Sequence, residues 1–328
     1  MGRTHLGAYA RAAADGYACR VLAVCNTRGV RPDDTEQQGG NIRSADNVPG
    51  LDPAAVRVTS TPDEVLDDPA IDLVSICTYT ETHADLAIRA LQAGKHVLVE
   101  KPVAIRSGDV GRVGDAAHAS GRLCMPAMCM RFWPGWRWLR DRVRDGSLGS
   151  VHSATFQRLG CRPDWGDGFY ADATRCGGAL FDLHIHDADF IRWCWGTPQS
   201  VTSTGSIDHL TTLYRFASGP AHVAAEGGWD QMPGFEFRMR YVVVFEAGTA
   251  DWEVGRDPPL LLYRDGSSEA VALPTGTGYD GQIRHLLDAI TLGRTDLDAT
   301  ISEARAVTVL LEAERRSIQT GRPVAVAP

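Results

Sequence analysis

The sequence has no long hydrophobic run, no Cys-x-x-Cys pair, no basic tract and no internal repeat. Each absence excludes a class of protein. The longest apolar stretches, such as residues 241–245 and 260–263, fall far short of the roughly 20 residues that span a bilayer. The opening Met1-Gly2-Arg3-Thr4-His5 lacks the apolar centre of a secretion signal, so a cytoplasmic protein is expected. Eight cysteines stand scattered at positions 19, 25, 77, 124, 129, 161, 176 and 194, which suits neither a disulfide framework nor a structural zinc site. With 33 Lys and Arg against 41 Asp and Glu, the formal charge of −8 argues against nucleic acid or a membrane surface as a partner. What is present is ordinary globular composition: 328 residues, 44% apolar and 23% charged, enough chain for two domains.

The first third alternates apolar runs with helical stretches. Residues 19–25, 71–78 and 96–100 read as strands buried on both faces of a parallel sheet. Thr61-Pro62-Asp63-Glu64 has the form of a capping box with proline at the first helical position. Residues 82–93 form a helix stopped by Gly94, and another runs from Ser107 to Ser120. Alternation of this kind predicts a Rossmann-like, doubly wound parallel sheet over residues 1–123. Residues 124–328 read differently. A helix over 134–145, a strand over 150–159 and a long helix over 178–195 precede strands joined by hairpin turns at Ser218-Gly219, Ala247-Gly248-Thr249 and Asp265-Gly266. Two helices close the chain, over 281–292 and after the cap Thr300-Ile301-Ser302-Glu303. The second domain is thus predicted to be an open antiparallel sheet with helices, an α+β arrangement, with the last helix and tail packed back on the first domain.

The beginning is unusual. In a dinucleotide fold the turn between the first strand and first helix is Gly-x-Gly-x-x-Gly. Gly2 can serve as the third glycine, but the strand and two glycines before it are missing, so the natural start is expected upstream of Met1. Glu100-Lys101-Pro102 ends a strand at the carboxyl edge of the sheet, where open α/β folds bind ligands. A lysine there can stabilise negative charge on a substrate oxygen, and a cis bond before Pro102 would aim it. In the block Gly177-Gly178-Ala179-Leu180-Phe181-Asp182-Leu183-His184-Ile185-His186-Asp187-Ala188-Asp189, a continuous helix places Asp182, His186 and Asp189 on one face. A carboxylate beside an imidazole is an acid–base pair. His184 points elsewhere on such a helix, which weakens a His-x-His metal site, and no metal is expected.

These residues carry a resemblance. From Gly2 to Val324 the sequence resembles the glucose–fructose oxidoreductase/inositol dehydrogenase/rhizopine catabolism (Gfo/Idh/MocA) family. The matching pieces are Gly2-x-x-His5, Thr78 to His83, residues 94–102, Arg131-Phe132-x-Pro134, the 177–189 block and the closing 317–324. The resemblance implies a nicotinamide-dependent oxidoreductase acting on a secondary alcohol or ketone of a sugar, cyclitol or derivative. It also implies a homodimer or homotetramer assembled through the second-domain sheet. Lys101 would polarise the reacting oxygen, His186 would take its proton, and Asp182 would orient the hydroxyl or the imidazole. Cofactor contacts fall on Gly2, His5, Asn26, Thr27, Arg28, Thr78, Tyr79, His83, Glu100, Lys101 and Pro102. Substrate contacts fall on Lys101, Arg131, Trp165, Asp182, His184 and His186. Of the eight tryptophans, only Trp165, in the loop before the catalytic block, is expected to stack on a sugar. Arg158, Arg162 and Arg175 flank that loop as candidate anion ligands.

The chain departs from the family pattern at several positions. Thr78-Tyr79-Thr80 stands where Thr-Pro-Asn is common, and His184 where a small residue is usual. Asn26 replaces the aspartate that holds the adenosine ribose and repels a 2′-phosphate, while Arg28 can pair with that phosphate. NADP is therefore expected over NAD. Two alternatives remain: a redox-neutral lyase or glycosidase that oxidises its sugar transiently on bound cofactor, with His184 in an added role, and a non-catalytic cofactor or sugar sensor.

Overall fold

The structure is a computed structural model that describes residues 1–26 and 56–327. Thr27 and Arg28 lie outside the described residues. In chain order the elements are α1 (Gly2–Ala14), β1 (Ala23–Cys25), β2 (Arg57–Thr59), α2 (Pro62–Leu66), β3 (Leu73–Ile76), α3 (Thr80–Gln92), β4 (His96–Val99), α4 (Ser107–Ser120) and β5 (Cys124–Pro126). There follow α5 (Pro134–Asp145), β6 (Val151–Leu159), α6 (Ala173–Cys176), α7 (Gly178–Asp182), α8 (Ile185–Trp195), β7 (Ser200–Gly205), β8 (His209–Arg215), β9 (His222–Gly228) and β10 (Arg238–Phe245). The chain ends with β11 (Gly248–Glu253), β12 (Leu260–Arg264), β13 (Ser267–Ala270), α9 (Gly278–Thr291), α10 (Ile301–Thr320) and β14 (Val324–Ala325). No helix among the described residues is long and apolar enough to cross a membrane.

Two compact units emerge: residues 1–104, 108–132 and 277–304, and residues 105–107, 133–276 and 305–328. This corrects the expected division at 123/124. β5 pairs in parallel with β4, which places it in the first sheet. α9, not the last helix, packs on α1, while most of α10 and the tail belong to the second unit.

In the first unit, β1 pairs with β2, β3 with β4, and β4 with β5, all in parallel. Among the described residues these form two separate sheets. Val97, Leu98 and Val99 of β4 are fully buried, as a strand with neighbours on both sides should be. By contrast β1 and most of β3 are half-exposed, and residues 19–25 yield a strand of only three residues. Each has a strand partner on one side alone among the described residues, so its side chains meet solvent where a second neighbour would cover them. The capping box predicted at Thr61 does not close, because the Thr61 side chain makes no cap bond. Capping boxes do form at Thr277 with Asp280, which starts α9 at Gly278, three residues ahead of the expected start, and at Thr300 with Glu303.

The second unit is built on a nine-stranded sheet in the order β13-β12-β11-β10-β6-β9-β8-β7-β14. It is mixed, not purely antiparallel, because β6 and β9 run in parallel at its centre. The hairpins are present, although the turn expected at Ala247-Gly248-Thr249 falls on Glu246-Ala247, with Gly248 and Thr249 already paired in β11. At Asp265-Gly266 both residues take positive φ (53° and 74°), as a tight two-residue hairpin requires. Beneath the sheet lies an aromatic core. Trp136 meets Phe190, Tyr241 and Trp252 edge to face with centroids 4.8–5.9 Å apart. Gly135 permits this packing, since a Cβ there would lie 2.3 Å from Trp252 Nε1. Tyr241 also donates to the Gly135 carbonyl at 2.7 Å. Gly135→Ala should therefore destabilise the protein by about 1–3 kcal/mol through overpacking. Thermal unfolding checks this, and an unchanged midpoint would contradict the packing argument.

Candidate functional site

In the first unit, the site is built where three segments meet: the start of α1, the loop after β3 and the turn after β4. α1 begins at Gly2 with no acidic residue in its first turn and no side-chain cap, so its leading amides are open to an anion such as a dinucleotide pyrophosphate. The absence of a Cβ at Gly2 leaves room, as one placed there would be 4.0 Å from Cys77 Cβ. Asn26 follows β1 and donates its amide to Thr59 O at 2.9 Å. Thr78 is exposed and Tyr79 half-buried after β3, and the Lys101–Pro102 bond after β4 is cis, as the sequence suggested. Lys101 is half-buried, with its amide donating to Glu100 Oε2 at 3.1 Å. These residues fit a dinucleotide.

Three residues expected to touch the cofactor instead hold this framework together. His5 is 2% exposed; it donates from Nε2 to Glu100 Oε1 at 2.9 Å, and its Nδ1 lies 3.5 Å from Cys77 Sγ. Glu100 is also buried. His83 is enclosed with its ring nitrogens 2.8 Å from Pro102 O and 3.0 Å from Thr78 O, so it ties the two loops together. Enclosure removes all three from direct contact with a bound molecule. Burial opposes charge on His5, but Cys77 and Glu100 outweigh it and push its pKa up to about 10. Burial likewise opposes the Glu100 carboxylate, which His5 nevertheless holds below its usual range.

The sign of the resulting pH dependence follows from linkage. A histidine raised from 6.5 to about 10 adds stability that is complete below pH 6.5 and is lost as pH rises through about 10. We expect the unfolding midpoint to fall between those limits. His5→Gln should flatten that alkaline limb in melts recorded across the pH range; an equally steep limb in the variant would contradict the assignment.

The second unit carries its own cluster, in the 177–189 block. Gly178 has φ +74°, and a Cβ there would strike the Ile207 carbonyl oxygen at 2.8 Å, so only glycine fits this entry to α7. The block is not one helix. It breaks at Leu183-His184, where the His184 amide reaches back five residues to Ala179 O at 2.8 Å, a π-type turn that inserts one residue. This corrects the single-face geometry expected for Asp182, His186 and Asp189: Asp182 and His186 are half-buried on either side of the break, whereas Asp189 is buried.

The inserted residue, His184, is fully buried. Its Nε2 lies 2.9 Å from Glu314 Oε2 and 3.0 Å from the Tyr214 hydroxyl, while its Nδ1 is buried without a hydrogen-bond partner. Burial works against an imidazolium here, but the Glu314 carboxylate outweighs it and raises the pKa. His184 is therefore a structural pin for the break, not the substrate contact that was expected. Arg131 is corrected in the same way: fully buried, it bonds Asp298 O at 2.7 Å and Glu303 at 2.8 Å, holding the cap of α10. Arg158 is enclosed against Asp187 in a bidentate pair at 2.9 and 3.0 Å, Arg162 pairs with Asp208, and Arg175 lies over the Phe169 ring. Trp165 stays half-buried, edge-on to Tyr170, which meets Trp229 in turn. Among the described residues, no group of three or more His, Cys, Asp or Glu is placed to hold a metal ion.

Sequence reasoning missed Cys77, Glu314, Tyr214 and Asp187 as supporting residues. The supports of His5 and His184 come from distant segments and carry no local pattern.

Comparison with known proteins places this geometry. Residues 4–128 match the model of the oxidoreductase family with an NAD-binding Rossmann fold, and residues 136–251 match the GFO/IDH/MocA C-terminal domain. The chain is similar to a myo-inositol 2-dehydrogenase of Thermotoga maritima, 28% identical over 52% of this chain and 55% of that one. It spans about half the length of that relative. It is also similar to a scyllo-inositol 2-dehydrogenase (NAD(+)) of Bacillus subtilis, 27% identical over 80% of each chain. In fold it resembles a levoglucosan dehydrogenase solved with NADH and levoglucosan, at TM-score 0.80 and 20% identity, covering 100% of this chain and 97% of the other. With both of the family's domains matched in order, the chain belongs to the Gfo/Idh/MocA oxidoreductase family.

Proposed function

We propose that the protein is an NAD(P)-dependent oxidoreductase that interconverts a secondary alcohol and a ketone on a sugar, cyclitol or related compound. The observation that carries this reading is the turn after β4. There the buried His5–Glu100 pair, with Glu100 accepting from the Lys101 amide, fixes the backbone that presents Lys101 at the carboxyl edge of a parallel sheet. The names of the inositol and levoglucosan dehydrogenases support the substrate class. Gly2, Asn26, Thr78, Tyr79 and Lys101 would hold the cofactor, which when bound supplies a two-electron acceptor for hydride. His186 takes the hydroxyl proton, Lys101 stabilises charge on the same oxygen, and Asp182 orients the hydroxyl or the imidazole. Trp165 offers a stacking face for the ring. Assembly as a homodimer or homotetramer and a cytoplasmic location belong to the same reading.

The first test is titration of the protein with NADH and NADPH, following nicotinamide fluorescence, and then a screen of inositols and anhydrosugars for NAD(P)H production. Binding with turnover supports the proposal. A folded protein that binds neither cofactor would overturn it. Asn26 and Arg28 favour NADP, and Arg28→Ala should weaken NADPH binding by about 10- to 100-fold, the scale of one charge-assisted bond, with little effect on NADH. Equal losses for both would show that Arg28 does not meet the 2′-phosphate. The lyase reading loses its support in His184, which is enclosed against Glu314.

A further inference from the structure

We propose that Cys77 is a reactive thiol, activated by His5 and Glu100, that is modified by hydroperoxides and soft electrophiles. Three features converge on it. Cys77 follows β3 directly and is half-buried, so its sulfur is within reach of small molecules. His5 Nδ1 lies 3.5 Å from Sγ, and the opposite ring nitrogen is held by Glu100 at 2.9 Å, the order thiol–imidazole–carboxylate that activates a cysteine nucleophile. The thiol also sits beneath the first turn of α1, close to Gly2, at the positive end of a 13-residue helix.

The charged and titratable groups facing this centre are His5, Tyr9 and the Met1 ammonium from α1, and Glu100 and Lys101 from the end of β4. Burial, with Cys77 nearby, raises the Tyr9 phenol, so it stays neutral, and the balance around the sulfur is set by His5 against Glu100. Cys19 and Cys25 provide internal comparisons: both are half-buried, and burial raises their thiols with no imidazole to offset it.

The step balances without a further reactant. His5, already charged at neutral pH, donates from Nδ1 to the Cys77 sulfur as the thiol gives its proton to solvent, and the thiolate attacks one oxygen of the hydroperoxide. The S–O bond forms as the O–O bond breaks; sulfur gives up two electrons, and the departing hydroxide leaves as water with the His5 proton. The product is a sulfenic acid, reversible by thiols. With iodoacetamide the same thiolate displaces iodide. An added group on Cys77 enters the space left open at Gly2, so modification should also impair dinucleotide binding; this consequence rests on the nucleotide-site reading above.

The test needs no variant to begin. The folded protein is treated with iodoacetamide or hydrogen peroxide at pH 7, and modification at each cysteine is timed by peptide mass spectrometry. Cys77 should react at least tenfold faster than Cys19 and Cys25, and Glu100→Gln should slow Cys77 alone. Equal rates at the three cysteines, or a Cys77 rate unaffected by Glu100→Gln, would overturn the proposal. NADH titration of peroxide-treated protein before and after dithiothreitol then checks the consequence: binding should be lost and recovered, and Cys77→Ser should bind NADH in every condition. Undiminished binding by fully modified protein would overturn the coupling. If untreated protein binds neither NADH nor NADPH, it is the nucleotide reading that has failed, and the labelling rates still judge the thiol; if it binds NADPH alone, the same titration is made with NADPH.

Discussion

His186→Ala should lower the rate of hydride transfer by about 10²- to 10⁴-fold, the range expected when a positioned acid–base group is removed. Lys101→Ala should cost about 10²- to 10³-fold, as loss of charge stabilisation at the reacting oxygen. Both side chains are only half-buried, so the folded state should survive either change. Circular dichroism and the unfolding midpoint establish that, and single-turnover formation of NAD(P)H reads the chemical step. Near-wild-type turnover in either variant would remove that residue from its assigned role. Lys101 can also be approached chemically. Lys95 is the only other lysine in the chain, and it is buried with its ammonium donating to Asp68 O at 2.6 Å. Among the lysine side chains, reductive methylation should therefore fall on Lys101, and bound cofactor should slow it there.

Asp187→Ala should destabilise the protein by about 3–5 kcal/mol, since it strands the Arg158 guanidinium in a site with almost no access to water. Against a total folding stability of about 5–15 kcal/mol this is a large fraction, and denaturant melts will show it directly. Arg158 has other company, with Met239 sulfur at 2.7 Å and the Trp136 ring 5.3 Å away, but neither neutralises its charge. The double replacement Arg158→Met with Asp187→Leu should regain most of the loss. A buried ion pair is costly to break and much less costly to replace as a whole with apolar groups. If the double variant is as unstable as the single one, the pair holds the fold by shape and not by charge.

Much of the molecule was legible in local signals. β4 was read correctly because a run of Val and Leu without polar interruption suits a strand covered on both faces. Gly94 after α3, the Asp265-Gly266 hairpin and the Thr300–Glu303 cap were legible because each depends on the backbone preferences of two to four adjacent residues. The Glu100-Lys101-Pro102 turn and the glycine pair ahead of α7 belong to the same class, and so the positions of Lys101, Asp182 and His186 along the chain were determined by the sequence alone. Family membership rests on those same pieces.

Tertiary structure decided which polar groups face inward. His5 and Glu100 are 95 residues apart, His5 and Cys77 72, Arg131 and Glu303 172, and no periodicity links such pairs. A histidine two positions from the proposed base read as a possible substrate ligand until Glu314 and Tyr214, from α10 and β8, were found holding it in the interior. That inward pull accompanies the inserted residue, so helix arithmetic alone could not place Asp182 and His186 on their faces. The strand order also lay beyond local reading, since the parallel pairing of β6 with β9 is a property of the whole sheet. Propensity and turn chemistry act over a few residues and are written in sequence. Burial, charge pairing and strand order depend on which distant segments arrive at the same place, and only the folded chain settles that.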